Sequence, residues 1–128
     1  MALHKPTPIS HRYLTAHMLD VSAANSAAYV AVPWKCKLVK LQATIYIPIT
    51  VADSVITCSW IRAGVATAIT GGTITVAQSG SAAGSVFEAT PTVTLLLREG
   101  DAIGFVSDGG ATTVCSTECT AIVDLMDN

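Results

Sequence analysis

The chain has 128 residues, of which 51% are hydrophobic and only 12% are charged, and its formal net charge is −2. This length suits one domain with a buried core, and the charged fraction is well below the rough quarter usual in soluble proteins. The sequence argues against nucleic-acid binding, because it has no basic run and no basic residues interleaved with aromatics. It also contains no run of about 18 apolar residues, so no membrane span is predicted.

The few charges are unevenly placed along the chain. Residues 1–40 carry five lysines and arginines against one aspartate, a net +4, whereas the remainder carries two arginines against eight acids, a net −6. A basic end on an acidic body can steer docking onto an acidic surface. The low total charge has two interpretations: either other subunits cover part of the surface, or small Thr, Ser and Ala side chains cover it without a partner.

Residues 1–26 differ in character from the rest. Pro6 and Pro8 disfavour a helix, and His4, His11 and His17 all fall in this segment. The segment lacks the apolar core and cleavage site of a signal peptide, so we expect the protein to be made and kept in the cytoplasm or in a particle assembled there. We predict an extended N-terminal arm over residues 1–26, with a short strand at 12–19 that lies on a neighbouring subunit. A frayed terminus is the alternative.

The first strands of the remaining domain are predicted from the pattern of apolar residues. A short strand at residues 28–32 stops at Pro33, and a longer one covers residues 36–49, bent at Pro48. In the longer strand every odd position from 39 to 49 is apolar, and this period of two places one face in the core and the other in solvent. No helix fits this pattern. The apolar positions are Val39, Leu41, Ala43, Ile45, Ile47 and Ile49.

Strands and turn signals then alternate to the end of the chain. Gly71-Gly72 is predicted to be a turn, residues 98–101 a tight hairpin, and Asp108-Gly109-Gly110 another turn. Turns roughly every ten residues are typical of a two-sheet sandwich. The sequence therefore predicts an all-β, jelly-roll-like β-sandwich of about eight antiparallel strands over residues 27–128. The later strands are predicted at residues 55–62, 73–77, 93–97, 102–107 and 113–125.

The chemically reactive residues do not form a recognisable catalytic or metal set. Cys115 and Cys119 would lie about 13 Å apart in one extended strand, too far for a disulfide. Together with Cys36 and Cys58 they are predicted to be buried free thiols. The histidines fall on the predicted arm, so no rigid general base is evident. We therefore predict no enzyme activity, no metal and no cofactor.

Sugar binding remains an alternative, because sugar sites in β-sandwiches stack their ligands on exposed aromatic rings. Trp60 alternates onto the same face as Ile56 and Cys58, so core packing is its expected role. Trp34 follows Pro33 and precedes Lys35. It is the better candidate for an exposed anchor, since aromatics are enriched at interface hot spots.

Several segments resemble the head decoration, or cement, proteins of tailed bacteriophages. They are the strand AYVAV at residues 28–32 with the Pro-led turn and residues 37–45 after it, the run ITGGTITVAQSGSAAGSVFEATPT at 69–92, and EGDAIGFVSDGG at 99–110 leading to a closing strand. They cover about two-thirds of the chain. The N-terminal segment and the cysteine-containing last strand lie outside the resemblance.

The resemblance implies a jelly-roll protein on the outer surface of a phage head, made in the host cytoplasm, that stabilises contacts between major capsid protein subunits. It also implies a homo-oligomer, with a trimer favoured over a dimer, and no membrane or nucleic-acid partner. A receptor- or glycan-binding β-sandwich domain of a virion fibre or spike is the alternative. Our candidate capsid-contact residues are Lys5, Arg12, Tyr13, Trp34 and Lys35.

Overall fold

A computed structural model describes residues 11–126, and within them the chain forms nine β-strands and no helix. The strands lie in two antiparallel sheets that pack face to face as a jelly-roll-like sandwich, which confirms the predicted fold class. The strands are β1 (His11–Met18), β2 (Ala27–Ala31), β3 (Cys36–Ile45), β4 (Ser54–Arg62), β5 (Val65–Val76), β6 (Val86–Ala89), β7 (Leu96–Leu97), β8 (Ala102–Ser107) and β9 (Thr117–Leu125).

The chain alternates between the two sheets for most of its length. The five-stranded sheet has the order β1-β9-β3-β6, with β7 also pairing to β3, and the four-stranded sheet has the order β2-β8-β4-β5. Among the described strands only β4 and β5 form a hairpin of consecutive partners. Successive strands otherwise pair with distant parts of the sequence, so both ends of the sandwich are built from loops far apart in the chain.

The first described strand belongs to this chain's own sandwich. β1 pairs with β9 along its whole length, and Leu14 and Met18 are buried in the core, as is Val21 just after the strand. The predicted strand at 12–19 therefore exists, but it belongs to this chain's own sandwich and not to a detached arm, because its alternate side chains pack inward. Residues 1–10, including Lys5, lie outside the described residues, and an arm there stays a prediction.

The long strand β3 follows the predicted period of two only in part. Leu41, Ala43 and Ile45 are buried as expected, but the register slips between Leu38 and Lys40. Such a bulge gives one strand an extra residue and changes the alternation of faces. Leu38 is consequently buried, while Val39 is only partly covered, contrary to the prediction. The strand ends at Ile45, and Ile47 is exposed for that reason.

Gly71 and Gly72 lie inside β5 and do not form the predicted turn between strands. The register between β4 and β5 jumps from Ser59–Ala68 to Thr57–Thr73, so the glycines form an irregularity within one long strand. Gly71 has a φ of 80°, and a Cβ on it would lie 2.9 Å from the Thr92 nitrogen. Glycine is needed here because the backbone is left-handed and a neighbouring segment approaches closely.

Two further turns differ from their predictions. The turn at residues 98–101 does not join hairpin partners, because β7 pairs with β3 in one sheet while β8 belongs to the other. The last strand starts at Thr117, four residues later than predicted, and β6 was not predicted at all. β6 has only four residues, of which only Ala89 is buried, so it lacks an alternating apolar pattern.

Candidate interaction surfaces

The structure brings four of the five predicted contact residues to one end of the sandwich. Arg12 and Tyr13 begin β1, which pairs with the last residues of β9. Trp34 and Lys35 lie between β2 and β3, and the Met126 nitrogen donates to the Lys35 carbonyl just past the end of β9. Tyr13 is 65% exposed and Trp34 39% exposed. The fifth residue, Lys5, is outside the described range. His11, the first described residue, lies at this same end, where it pairs with Asp124.

This end, which we call the basic end, contains the β2–β3 loop, the 98–101 turn, the β4–β5 turn and the starts of β1 and β3. Every lysine and arginine of residues 11–126 lies in the half of the sandwich nearest to it. The acids there, Glu99, Asp101 and Asp124, together with Glu88, which pairs with Lys40 at 3.5 Å, only partly offset them. The basic residues are Arg12, Lys35, Lys37, Lys40, Arg62 and Arg98.

The 98–101 turn is held in place by a buried carboxylate. Asp101 is only 3% exposed; its two oxygens accept from Arg62 Nε at 3.0 Å and Nη2 at 2.7 Å, and from the Arg98 backbone nitrogen at 3.0 Å. The Arg62 guanidinium also stacks on the ring of Trp60, 4.9 Å from its centroid. Hydrogen bonding to Arg62 lowers the pKa of Asp101 below its usual value, more than burial raises it. The Asp101–Arg62 pair fixes this end of the sandwich. Trp60 packs between the core and the Arg62 guanidinium, in the packing role expected from the sequence.

Replacing Asp101 with Asn should cost about 2 kcal/mol of unfolding free energy at pH 7, because hydrogen bonds to a buried charged acceptor are lost. Since the folded-state pKa is lowered, the carboxylate stabilises the protein above its unfolded pKa of 3.8 and loses that effect as pH falls through the folded value. Urea unfolding measures the difference in unfolding free energy between Asp101→Asn and wild type. This difference should be smaller at pH 3 than at pH 7. Glu99→Gln, at an exposed position in the same turn, is the control; an equal loss there would contradict the assignment.

A shallow groove of about 400 Å³ lies on the outer face of the five-stranded sheet near the basic end. His11 faces Asp124 across the β1–β9 pairing, and Lys37 faces Asp124 across β3–β9. One wall is formed by residues 91–94, including the exposed Val93. The groove therefore places the oppositely charged Lys37 and Asp124 beside a wall of mixed polar and apolar residues, next to His11, the first described residue.

The opposite end of the sandwich, the acidic end, has the reverse charge. Its loops cover residues 19–26, 46–53, 77–85 and 108–116 and contain Asp20, Asp53 and Asp108 without any lysine or arginine. Each aspartate accepts a backbone hydrogen bond: Asp20 from Ser22 at 2.9 Å, Asp53 from Gln78 at 2.8 Å and Asp108 from Val55 at 2.9 Å. These carboxylates brace the loops, and they leave the molecule with charge of opposite sign at its two ends.

The acidic end also exposes apolar side chains. Val51 is 76% exposed and has a φ of 77°, and the Ala52 nitrogen donates to the Thr50 carbonyl at 2.9 Å around it, closing a three-residue turn. A β-branched residue in this region is a conformational outlier that costs about 1–3 kcal/mol. Leu19, Ile47 and Val114 are exposed in the adjoining loops. Val51, Leu19 and Val114 were not singled out from the sequence, because the loops that carry them meet only in the fold, and Ile47 was assigned to the buried face.

The cysteines are buried and free, as predicted, at positions 36, 58, 115 and 119. Burial raises the pKa of Cys58 and of Cys119 to about 12, so these two thiols stay protonated and unreactive at neutral pH. Within residues 11–126 no group of three His, Cys, Asp or Glu side chains could hold a metal ion. That part of the chain also has no helix long and apolar enough to cross a membrane.

No protein-family model and no curated protein matches this sequence. Among solved structures, the chain is similar to one in the cyanophage Pam1 capsid asymmetric unit, with a TM-score of 0.55 and 20% identity over 98% of this chain and 94% of that one. It is also similar to murine APRIL at pH 5.0, with a TM-score of 0.52 and 12% identity over 89% of this chain and 100% of that one. At these identities the likeness concerns the fold, which is the jelly-roll-like sandwich described above.

Proposed function

We propose that this chain is a non-enzymatic phage capsid decoration protein that binds the outer surface of the head and stabilises contacts between major capsid protein subunits. The observation that carries the proposal is the convergence of Arg12, Tyr13, Trp34 and Lys35 on one basic end, beside the point where residues 1–10 join the fold. Fold likeness over nearly the whole length to a chain of a phage capsid assembly supports it.

The chemistry of the basic end suits a protein surface with acidic groups. Exposed Trp, Tyr and Arg side chains are the residue types that contribute most at interface hot spots, and charge of one sign, to which Lys35 adds, steers encounter with a surface of the other sign. An oligomer of this chain would engage several sites of a head lattice at once, so modest affinity at each site would suffice for stable coverage.

Co-sedimentation with expanded, undecorated heads from the same genome tests the proposal. Wild type should bind saturably at a fixed ratio to capsid subunits and make the heads more heat-resistant. The double variant Trp34→Ala, Lys35→Ala should bind at least about tenfold more weakly, a loss of about 1.4 kcal/mol. Val114→Ala, at an exposed site on the acidic end, is the matched control and should bind like wild type.

The predicted arm is tested separately by deleting residues 1–10 alone. A larger deletion would remove β1 and the buried Leu14 and Met18, and would therefore test folding and not contact. Weaker head binding by the truncated protein is the expected result. Unchanged occupancy would mean that residues 1–10 are not part of the contact, and absence of binding by wild type would overturn the capsid proposal itself.

We further propose that copies of the chain associate, with a trimer favoured over a dimer. The outer face of the five-stranded sheet supports this, because it exposes Tyr13, Tyr46, Val86 and Leu96 while its charges are partly paired, as in the 3.5 Å contact between Lys40 and Glu88. Burying an apolar face whose charges are paired costs less desolvation free energy than burying one whose charges are unpaired. Light scattering coupled to size-exclusion chromatography measures the oligomer directly.

Receptor or glycan binding at a virion fibre or spike is the second candidate. The partial exposure of Trp34 favours it, because an accessible indole ring is a stacking platform for a sugar. Binding on a glycan array that disappears in Trp34→Ala, together with no binding to heads, would favour this function over decoration.

A further inference from the structure

The free edge of β5 provides a second interaction surface, distinct from the end that carries the candidate contact residues. β5 is the last strand of the four-stranded sheet, and its first residues, Val65 to Ala68, are exposed on both faces. Further along, the edge is covered, because the Thr92 nitrogen donates to the Thr70 carbonyl at 3.0 Å. The open part of the edge is therefore residues 65–69.

The direction of the backbone groups on this edge follows from the hairpin geometry. Arg62 pairs with Val65 across the two-residue turn Ala63-Gly64, whose φ angles of 53° and 77° are both positive, as in a type I′ hairpin. The residues flanking such a turn exchange both backbone hydrogen bonds, and the pattern then alternates. Val65 and Thr67 therefore bond to β4. Ala66 and Ala68 direct their N–H and C=O groups away from β4, toward the open edge of the sheet. The Thr70 carbonyl, which accepts from Thr92, points to the same side.

The irregularity at Gly71-Gly72 and the segment around Thr92 protect the later part of β5, but residues 65–69 themselves lack the features that usually prevent strand pairing. Natural edge strands carry lysine, proline, a bulge or a covering segment, but residues 65–69 read Val-Ala-Thr-Ala-Ile, with no charge and no proline. The other described edges differ: β1 carries Arg12 and two histidines, β6 contains Glu88 and is soon followed by Pro91, and β2 lies against β1. The nearest cation, Arg62, is held on Asp101.

We propose that the edge formed by residues 65–69 pairs antiparallel with the same edge of a second copy of this chain, about a two-fold axis at Thr67. In this register Ala66 lies opposite Ala68 of the partner and Ala68 opposite Ala66 of the partner, so both pairs exchange their outward backbone hydrogen bonds. The contact is isologous: one segment supplies both sides. A charged residue here would face a like charge, and the absence of charge removes that repulsion.

The side chains fit the same register. Thr67 faces Thr67 of the partner subunit in a pair without backbone hydrogen bonds, where side chains are closest and two threonines are a favourable pair. Because only five residues are open, the contact is much smaller than a standard interface of roughly 800 Å² per partner, and the dimer is weak and readily exchanged. The two sandwiches extend in opposite directions from the axis.

Disulfide trapping in the free protein tests this register directly. Cysteines at a close antiparallel pair lie within the Cα distance that a disulfide requires, so Thr67→Cys should form a disulfide-linked dimer under oxidised glutathione at least tenfold faster than Val65→Cys. In the proposed dimer the two Val65 positions are four residues out of register. The native cysteines are buried and give little background.

A second substitution separates edge pairing from chance collision. Adding Ala68→Pro to Thr67→Cys removes an outward N–H that makes no bond within the chain, so trapping should fall to the level of Val65→Cys, whereas Ala68→Val should leave it unchanged. Circular dichroism confirms that each variant is folded. Equal rates for Thr67→Cys and Val65→Cys, or trapping insensitive to Ala68→Pro, would overturn the proposal. The test needs no phage heads, so its outcome is independent of the decoration proposal.

Discussion

Phe105→Ala should remove about 3–5 kcal/mol of unfolding free energy, the usual cost of deleting a buried aromatic side chain and leaving a cavity. Phe105 lies on β8 in the middle of the four-stranded sheet and is completely buried, with Ala28 and Cys58 as its cross-strand neighbours. These neighbours have small side chains, so the site cannot collapse to fill the space. Natural domains have only about 5–15 kcal/mol of stability in total, and the variant should be close to unfolding at 37 °C.

Urea unfolding at 25 °C measures this loss, with Phe87→Ala as the matched control. Phe87 lies on the short strand β6 and is only partly buried, so the same change of side chain there leaves a smaller void and should cost less than half as much. The loss of unfolding free energy in Phe105→Leu should be smaller than that in Phe105→Ala, since leucine preserves most of the side-chain volume. Equal losses at positions 105 and 87 would mean that the core is not centred on β8.

Gly110→Ala should destabilise the protein by about 3 kcal/mol, at the upper end of the range for forced overpacking. A Cβ on Gly110 would collide with the backbone carbonyl of Asp53, which is not the end of a flexible side chain and cannot rotate away. The turn is also fixed on its other side, because the Gly110 nitrogen and the Val55 nitrogen both donate to Asp108 Oδ1 at 2.9 Å. One of these loops must therefore shift.

Gly80→Ala separates this close approach from the general cost of replacing glycine. Gly80 has a φ of 74°, but nothing lies within 4 Å of a Cβ placed there. Its replacement should cost only the backbone penalty of about 1 kcal/mol. Thermal unfolding followed by circular dichroism compares the two variants. A Gly110→Ala protein no less stable than Gly80→Ala would show that the 108–110 turn does not pack on Asp53.

Local patterns predicted individual strands well where one face is fully buried. In β4, Ile56 and Cys58 alternate inward as the sequence indicates, and in β9 Cys119, Ala121 and Val123 do the same. The predictions were less accurate where the backbone is irregular. Val39 was assigned to the core because the sequence pattern does not reveal the bulge between Leu38 and Lys40. Gly71-Gly72 was predicted to be a turn because a pair of glycines is equally compatible with a turn and with an irregularity inside a strand.

The candidate site could be predicted only as separate residues. Trp34 and Lys35 were chosen for exposure and charge, and Arg12 and Tyr13 for their place in a predicted arm. Their common location depends on β9 lying between β1 and β3, a pairing of residues 72 to 113 positions apart in sequence. No local signal specifies such a pairing. The exposed Val51 was missed for a related reason, since nothing in the sequence around it indicates a positive φ.

The sequence by itself determined that this protein is all-β, that its strands are short and separated by turns, and that its four cysteines are small core residues, because period-two alternation and turn chemistry act over a few neighbouring residues. Only the tertiary structure decided how the charges are arranged. Arg98 comes from the acidic part of the chain yet lies at the basic end, and Asp20 comes from the basic part yet lies at the acidic end. The physical reason is that a jelly roll sends successive strands to opposite sheets, so each end of the sandwich collects loops from the whole length of the chain.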